Sequence, residues 1–370
     1  MKEYTRNLIR NIAIVGHGKS GKTSLTDTLI FNAGYAKRIG KVDEGTSLID
    51  FEVEEVKRKM SISSTLASCE WQGYKLNFID TPGYPDFIGE VKSVMQAADS
   101  ALIVLCAPAG IEVETEKVWE YASAIKLPRA FFINKMDREH ADFYAVVEQL
   151  KVKFGTGVVP IQIPIGSEEA FHGVVDLLSM NTRFVTSNNV PVEGEIPEFL
   201  QKEVEDARQQ LIEVVAEFNN DLLDKYLEGK EISEEEVSIA LAEGIQAAKI
   251  FPVLCGSSLK NIGSRKLLNS IINYMPEPML KPVMGIIPDT GEIIERVATD
   301  EFSAIVFKTT ADPFVGRLNY LKIISGVLKA DMTLYNVDKE KSEKINAFFT
   351  MRGKQQEAME IAHAGDIVVI

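Results

Sequence analysis

The sequence predicts an α/β fold: a doubly wound, mostly parallel sheet carrying an inserted α+β subdomain, followed by an antiparallel β-barrel. Three observations carry that expectation. Apolar runs alternate with helical patterns from Asn11 onward, a glycine-rich turn separates the first such run from the first helix, and beyond Phe302 the helical period disappears.

The strands are read first. "NIAIV" (11–15), "YKLNFI" (74–79), "ALIVLC" (101–106), "RAFFIN" (129–134) and "FPVLC" (251–255) are nearly all apolar, as parallel strands covered on both faces are. Between them, Phe87, Val91, Val94 and Ala98 make one helix face, and Val118, Ala122 and Ile125 a second. Phe143, Val146, Val147 and Leu150 make a third. The alternation is interrupted over about 157–250, where short strand-like pieces precede acidic helices; Ser233 with Glu236 forms a capping box opening the last of them. Because "FPVLC" returns to the buried-strand type, this stretch is an insertion within a nucleotide domain spanning 1–280. A proline-punctuated linker follows at 281–300, and a β-barrel domain at 301–370 that stops in mid-strand at "AGDIVVI".

Composition narrows the class. With 370 residues and 45% hydrophobic content the chain supports two or three cores. It lacks a membrane-spanning apolar run and an N-terminal signal-peptide pattern, so a cytoplasmic protein without a membrane partner is expected. Cys69, Cys106 and Cys255 lie far apart, away from metal-ligand spacing, and read as small hydrophobes. Of the net charge of −14, residues 193–243 carry −12, with 16 acidic residues against 4 basic. That stretch is either a solvated helical face or a docking surface, and it touches no nucleic acid. Nothing points to DNA, and a monomer is expected.

"GHGKSGKT" (16–23) follows the first strand and opens a helix. Gly16, Gly21, Lys22 and Thr23 satisfy the phosphate-loop pattern of the P-loop NTPases. Backbone N–H groups from His17 through Ser24 (Gly18, Lys19, Ser20 and Gly21 among them) would cradle phosphates, Lys22 would reach the β/γ oxygens, and the Thr23 hydroxyl would bind Mg²⁺. A chance match in a chain this long is on the order of one in a hundred. The same residues also spell Gly16-x-Gly18-x-x-Gly21, the dinucleotide fingerprint, but a dinucleotide site has no use for the Lys-Thr that follows. His17 is more often a packing or hydrogen-bonding residue here than a catalytic one.

"NKMD" (134–137) comes straight after a strand and matches the guanine-reading pattern. The Asp137 carboxylate can accept from guanine N1 and its 2-amino group, a donor pair adenine lacks. Asn134 would bind the base or brace the phosphate loop, and the Lys135 stem would cover the ring. "CGSS" (255–258) ends the next strand, and an N–H around Gly256, Ser257 or Ser258 would meet guanine O6. In "DTPGYPDF" (80–87), Asp80 would hold magnesium and the Gly83 N–H would meet the γ-phosphate.

Together "NIAIVGHGKSGKT", "DTPGYPDFIGEV", "INKMDR" and "CGSSLKNIG" resemble the translational GTPases, elongation factor G and its paralogues above all. "PIGSEEAFHGVVDLL" looks like that family's extra subdomain, and "FSAIVFKTTADPFVGRLNYLKIISGVLKADMTLYN" like the start of its second domain. The resemblance covers essentially the whole chain and implies the N-terminal portion of a ribosome-activated GTPase using GTP/GDP and Mg²⁺. Ribosomal RNA and the stalk protein would be its partners, the acidic insertion facing the stalk. A ribosomal protection protein, a release-factor-type GTPase and a GTP-held ribosome-binding module are the alternatives. The resemblance puts a nucleotide-dependent switch at residues 35–65, where Ser61 of "KRKMSIS" (57–63) stands in the place of a metal-binding threonine.

Two departures bear on mechanism. Tyr84 occupies the place where the family has a water-orienting histidine. A phenol, with a reference pKa of about 10, is no general base at neutral pH. Phosphoryl transfer is mainly positioning and electrostatics, so Tyr84 is expected to orient water through its hydroxyl alongside Lys22 and Gly83, less potently than a histidine. Lys19 stands where the family commonly has an aspartate and would bring its ammonium near the phosphates.

Overall fold

The computed structural model describes residues 2–185, 191–278, 283–287, 290–312 and 316–370. The chain runs β1 (Ile9–Val15), α1 (Lys22–Asn32), α2 (Val53–Arg58), β2 (Thr65–Trp71), β3 (Tyr74–Asp80), α3 (Ile88–Ala97), β4 (Ser100–Cys106), α4 (Val113–Ala124), β5 (Arg129–Asn134), α5 (Phe143–Phe154) and β6 (Val158–Pro160). Four short strands, β7 (Gln162–Ile165), β8 (Gly173–Asp176), β9 (Asn181–Val185) and β10 (Pro191–Gly194), form an antiparallel meander. Then come α6 (Gln201–Ala216), α7 (Asn220–Leu227), α8 (Glu234–Gln246), β11 (Phe251–Cys255) and α9 (Ser264–Tyr274).

The central sheet has the order β2-β3-β1-β4-β5-β11-β6, parallel except for β2, which runs antiparallel to β3. From β1 the chain moves to one side through β2 and β3, then crosses to β4 on the other. The strand order therefore switches at β1, and the C-terminal ends of β1, β3, β4 and β5 open onto one crevice. Every residue of β1, β5 and β11 is buried, as their apolar runs require.

Four details depart from the sequence reading. β2 was not expected: "TLASCEW" mixes small, polar and aromatic residues without a clear period, and only its pairing with β3 reveals it. β6 falls inside the expected insertion yet pairs with β11 as the sheet's edge strand. Ile125 is 38% exposed and lies beyond the end of α4, because the backbone leaves the helix there; Thr115, fully buried, completes that face. In the linker, Val283–Ile286 pairs with Ile293–Arg296 as a hairpin, while 279–282 and 288–289 lie outside the described residues. The Ser233–Glu236 capping box is present as expected.

Strands within 303–312 and 316–369 pack antiparallel around a second core of Leu321, Ile323, Leu328, Phe348, Met359 and Val368. These strands are continuous with the central sheet, since Arg352 pairs with Ala67 on β2. The contact is buried and partly apolar, since Met351, Ile367 and Val369 join the core of the central sheet, and polar pairs add to it. Lys75 on β3 bonds Asp366 at 2.8 Å, Lys322 bonds Asp99 at 2.5 Å, and Asn11 donates to Asp99 at 2.7 Å and to the Gly365 carbonyl at 2.6 Å. A buried charge left alone would cost several kcal/mol, so these pairs specify one docking geometry.

Candidate functional site

The site grows from the turn between β1 and α1. Gly21 has φ 91°, and a Cβ there would lie 2.5 Å from Asn134 Nδ2, so both its backbone angle and its neighbour demand glycine. The N–H groups of Gly21, Lys22, Thr23 and Ser24 have no acceptor among the described residues, which is the donor cluster that opens a helix. Ser20 is buried, and its hydroxyl has no partner among the described residues. Lys22 is buried and donates to the carbonyls of Gly16 (2.9 Å) and His17 (2.8 Å). Burial pulls its ammonium down to about 8.

Thr23 Oγ1 donates to Asp80 Oδ2 at 2.8 Å and lies 2.9 Å from Ser61 Oγ. Three oxygens named from distant parts of the sequence thus converge. Burial, then the neighbouring Asp50, push the Asp80 carboxyl up to about 8, and burial pushes Asp50 up to about 7. Asp50 Oδ2 is buried without a hydrogen-bond partner among the described residues. Hydroxyls beside under-compensated carboxylates are the all-oxygen donor set that suits a hard divalent cation such as Mg²⁺. Among the described residues no cluster of three His, Cys, Asp or Glu side chains offers another metal site.

Asp27 presents a simpler buried carboxyl. Burial raises it to about 6 although Ser47 and the Leu48 N–H bond it, and its Oδ2 has no partner among the described residues. The folded state holds this proton up to about 6, whereas an unfolded aspartate releases it near 3.9. Asp27 therefore costs stability progressively as pH rises from about 4 to about 6, by on the order of 3 kcal/mol, and the cost then stays constant. Asp27→Asn is expected to melt higher than wild type at pH 8 and to lose that advantage at pH 4; thermal unfolding at both values checks it.

Gly83 closes over the phosphate loop: a Cβ there would meet Lys22 Nζ at 2.3 Å and the Gly18 N at 2.8 Å. Tyr84 lies against Gly18, its Cζ 3.2 Å from the position of a Cβ on that glycine, and its hydroxyl has no partner among the described residues. His17, by contrast, turns inward. The Cys106 N–H donates to its Nε2 (3.3 Å), which leaves the proton on Nδ1 to donate to the Gly18 carbonyl (2.8 Å), and burial lowers the ring's pKa from the ordinary imidazole value against the opposing pull of Glu112. Its side chain packs and braces the loop backbone from the inside. Lys19 is exposed at φ 63°.

On the base side, Asn134 is a brace. Its Nδ2 donates to the Ser20 carbonyl at 3.1 Å, and its Oδ1 accepts from the Ser258 N–H and hydroxyl at 3.1 and 2.9 Å. Lys135 reaches across to the Lys19 carbonyl at 2.6 Å. Asp137 is half-exposed and has no hydrogen-bond partner among the described residues, so its carboxylate remains available to a ligand. The N–H groups of Gly256, Ser257 and Ser258 are occupied by Ile133, Ile262 and Asn134. The next one, on Leu259, has no acceptor among the described residues, so the loop's open donor lies one position beyond the expected set. Asp50 was also missed; the signal was an acidic residue inside the apolar "SLIDF" run.

Residues 7–277 match the family model described as the elongation factor Tu GTP binding domain. The chain belongs to the translational GTPases. Residues 301–370 match elongation factor G domain 2, which makes this an elongation factor G-like member. A crystal structure of a protein from Thermus thermophilus superposes on it with a TM-score of 0.87 at 30% identity, over 98% of this chain and 52% of that one. The chain thus spans about half the length of that relative. No helix among the described residues is long and apolar enough to cross a membrane.

Proposed function

We propose that this elongation factor G-like chain binds GTP with Mg²⁺ and hydrolyses it to GDP and phosphate on the ribosome, as a translocation-type factor of the cytoplasm. The observation that carries this reading is the placement of Gly83 and Tyr84 directly over the phosphate loop, with no partner for the Tyr84 hydroxyl among the described residues. Lys22 and the loop N–H groups bind phosphate oxygens. Thr23, Ser61 and Asp80 would hold Mg²⁺, which neutralises phosphate charge when bound. Asn134, Lys135 and Asp137 recognise guanine, assisted by the 256–259 loop.

In this reading the nucleotide unit spans 1–280 with its insertion at about 157–250, and 301–370 is a barrel joined through 281–300. It works as a monomer, with ribosomal RNA and the stalk protein as partners and neither DNA nor membrane among them. Tyr84 donates no proton in the chemical step. Its hydroxyl holds the attacking water in line, and the proton released from water leaves with the phosphate.

Single-turnover GTP hydrolysis by the full-length factor, with and without ribosomes, tests this. Ribosome-stimulated turnover is expected, falling roughly a hundredfold in Tyr84→Phe through loss of water positioning and rising in Tyr84→His. GTP binding without turnover, restored by histidine, would make the protein a GTP-held ribosome ligand instead.

A further inference from the structure

We infer that Lys308, a residue of the barrel, is a positioning residue for the two segments that meet the terminal phosphate, joining the α2–β2 loop that carries Ser61 to the helix that follows Tyr84. The inference rests on the guanine-nucleotide reading of the site. Lys308 Nζ reaches the Ser63 hydroxyl, the Ser64 carbonyl (2.6 Å), the Ser64 hydroxyl (3.0 Å) and Glu90 Oε2 on α3 (2.9 Å). Its side chain is 7% exposed. An ammonium has three N–H donors, and four oxygens surround this one, so none is left for solvent. The same Glu90 oxygen accepts from the Ser64 N–H (2.9 Å) and hydroxyl (2.6 Å), so the three residues form a closed knot.

Two further observations fit this role. The pairing of Ser303–Asp312 with Gly316–Ser325 shifts register between Val306 and Lys308, a bulge of the kind that re-aims a side chain. The barrel also grips the other end of the 35–65 segment. The Arg352 guanidinium lies 4.0 Å from the centre of the Tyr35 ring, and a Cβ on Gly353 would fall 1.9 Å from the Leu48 carbonyl oxygen. Ser63 is two residues from Ser61, and the buried Glu55 carboxyl accepts from the Ile62 and Ser63 N–H groups. Withdrawal of Ser61 from Thr23 therefore pulls on the Lys308 knot. By linkage, whatever favours the converged arrangement of Ser61 and Thr23 favours the docked barrel, and the converse holds equally.

The test compares dissociation constants of a non-hydrolysable GTP analogue and of GDP for full-length wild type, Lys308→Ala, Glu90→Gln and the double variant. Lys308→Ala is expected to weaken the analogue roughly tenfold while GDP changes less than twofold. Glu90→Gln should move the ratio in the same direction, and the double variant should lose little more than Lys308→Ala alone. An unchanged analogue-to-GDP ratio in Lys308→Ala, even with a lowered melting temperature, overturns the inference and leaves Lys308 a docking residue. Should Lys308→Ala fail to fold, the ratio in Glu90→Gln decides by the same criterion. Wild type that binds neither nucleotide would overturn the reading beneath it.

Discussion

A Lys22→Met variant is expected to bind GDP and GTP roughly a thousandfold more weakly than wild type. Hydrogen bonds to charged partners contribute about 1.5–3 kcal/mol each, and two such bonds to phosphate oxygens vanish with the ammonium. Methionine fills the space of the aliphatic stem but leaves the carbonyls of Gly16 and His17, now served by Nζ, without their donor. Some loss of stability accompanies the change, so binding is measured by titration with a fluorescent GDP analogue at a temperature where the variant's circular dichroism matches wild type. A Lys22→Met variant binding within tenfold of wild type would remove Lys22 from the phosphate site.

Gly83→Ala is expected to separate binding from turnover. Gly83 is not in the left-handed region, so an alanine meets no backbone penalty there. Its Cβ, however, would fall 2.3 Å from Lys22 Nζ, 2.7 Å from the His17 carbonyl oxygen and 2.8 Å from the Gly18 nitrogen. The lysine can swing aside, but the two backbone atoms cannot, so the turn bearing Tyr84 must lift from the loop. A displacement near 1 Å suffices to cost about a hundredfold in rate. Single-turnover hydrolysis should fall by that factor while GDP affinity stays within threefold. Parallel losses in both would mean that the turn supports the nucleotide site itself.

Much of this was legible because the site sits where local sequence rules are strictest. Lys22 and Thr23 are fixed by a glycine turn between a strand and a helix, and Asp80 and Asn134 each end an apolar run. What stayed hidden depends on partners far away in the chain. Lys308 meets Ser64 across 244 residues, and Lys75 meets Asp366 across 291, distances over which periodicity carries no information. β2 was invisible because its identity as a strand comes from β3 and not from its own residues. The Leu259 donor became apparent only once the neighbouring N–H groups were seen to be occupied. Asp137 was read from its motif, and the structure adds that its carboxylate has no partner among the described residues.

The measurement closest to the central claim is competition for the full-length protein, in Mg²⁺ buffer, between a fluorescent GDP analogue and unlabelled GDP, GTP or ATP. The Asp137 carboxylate, without a partner among the described residues, demands the two donors that guanine alone presents, so GDP and GTP should displace the analogue at stoichiometric excess. ATP should leave it bound even at roughly a thousandfold excess. Equal displacement by ATP would contradict the guanine site and, with it, the functional reading built upon it.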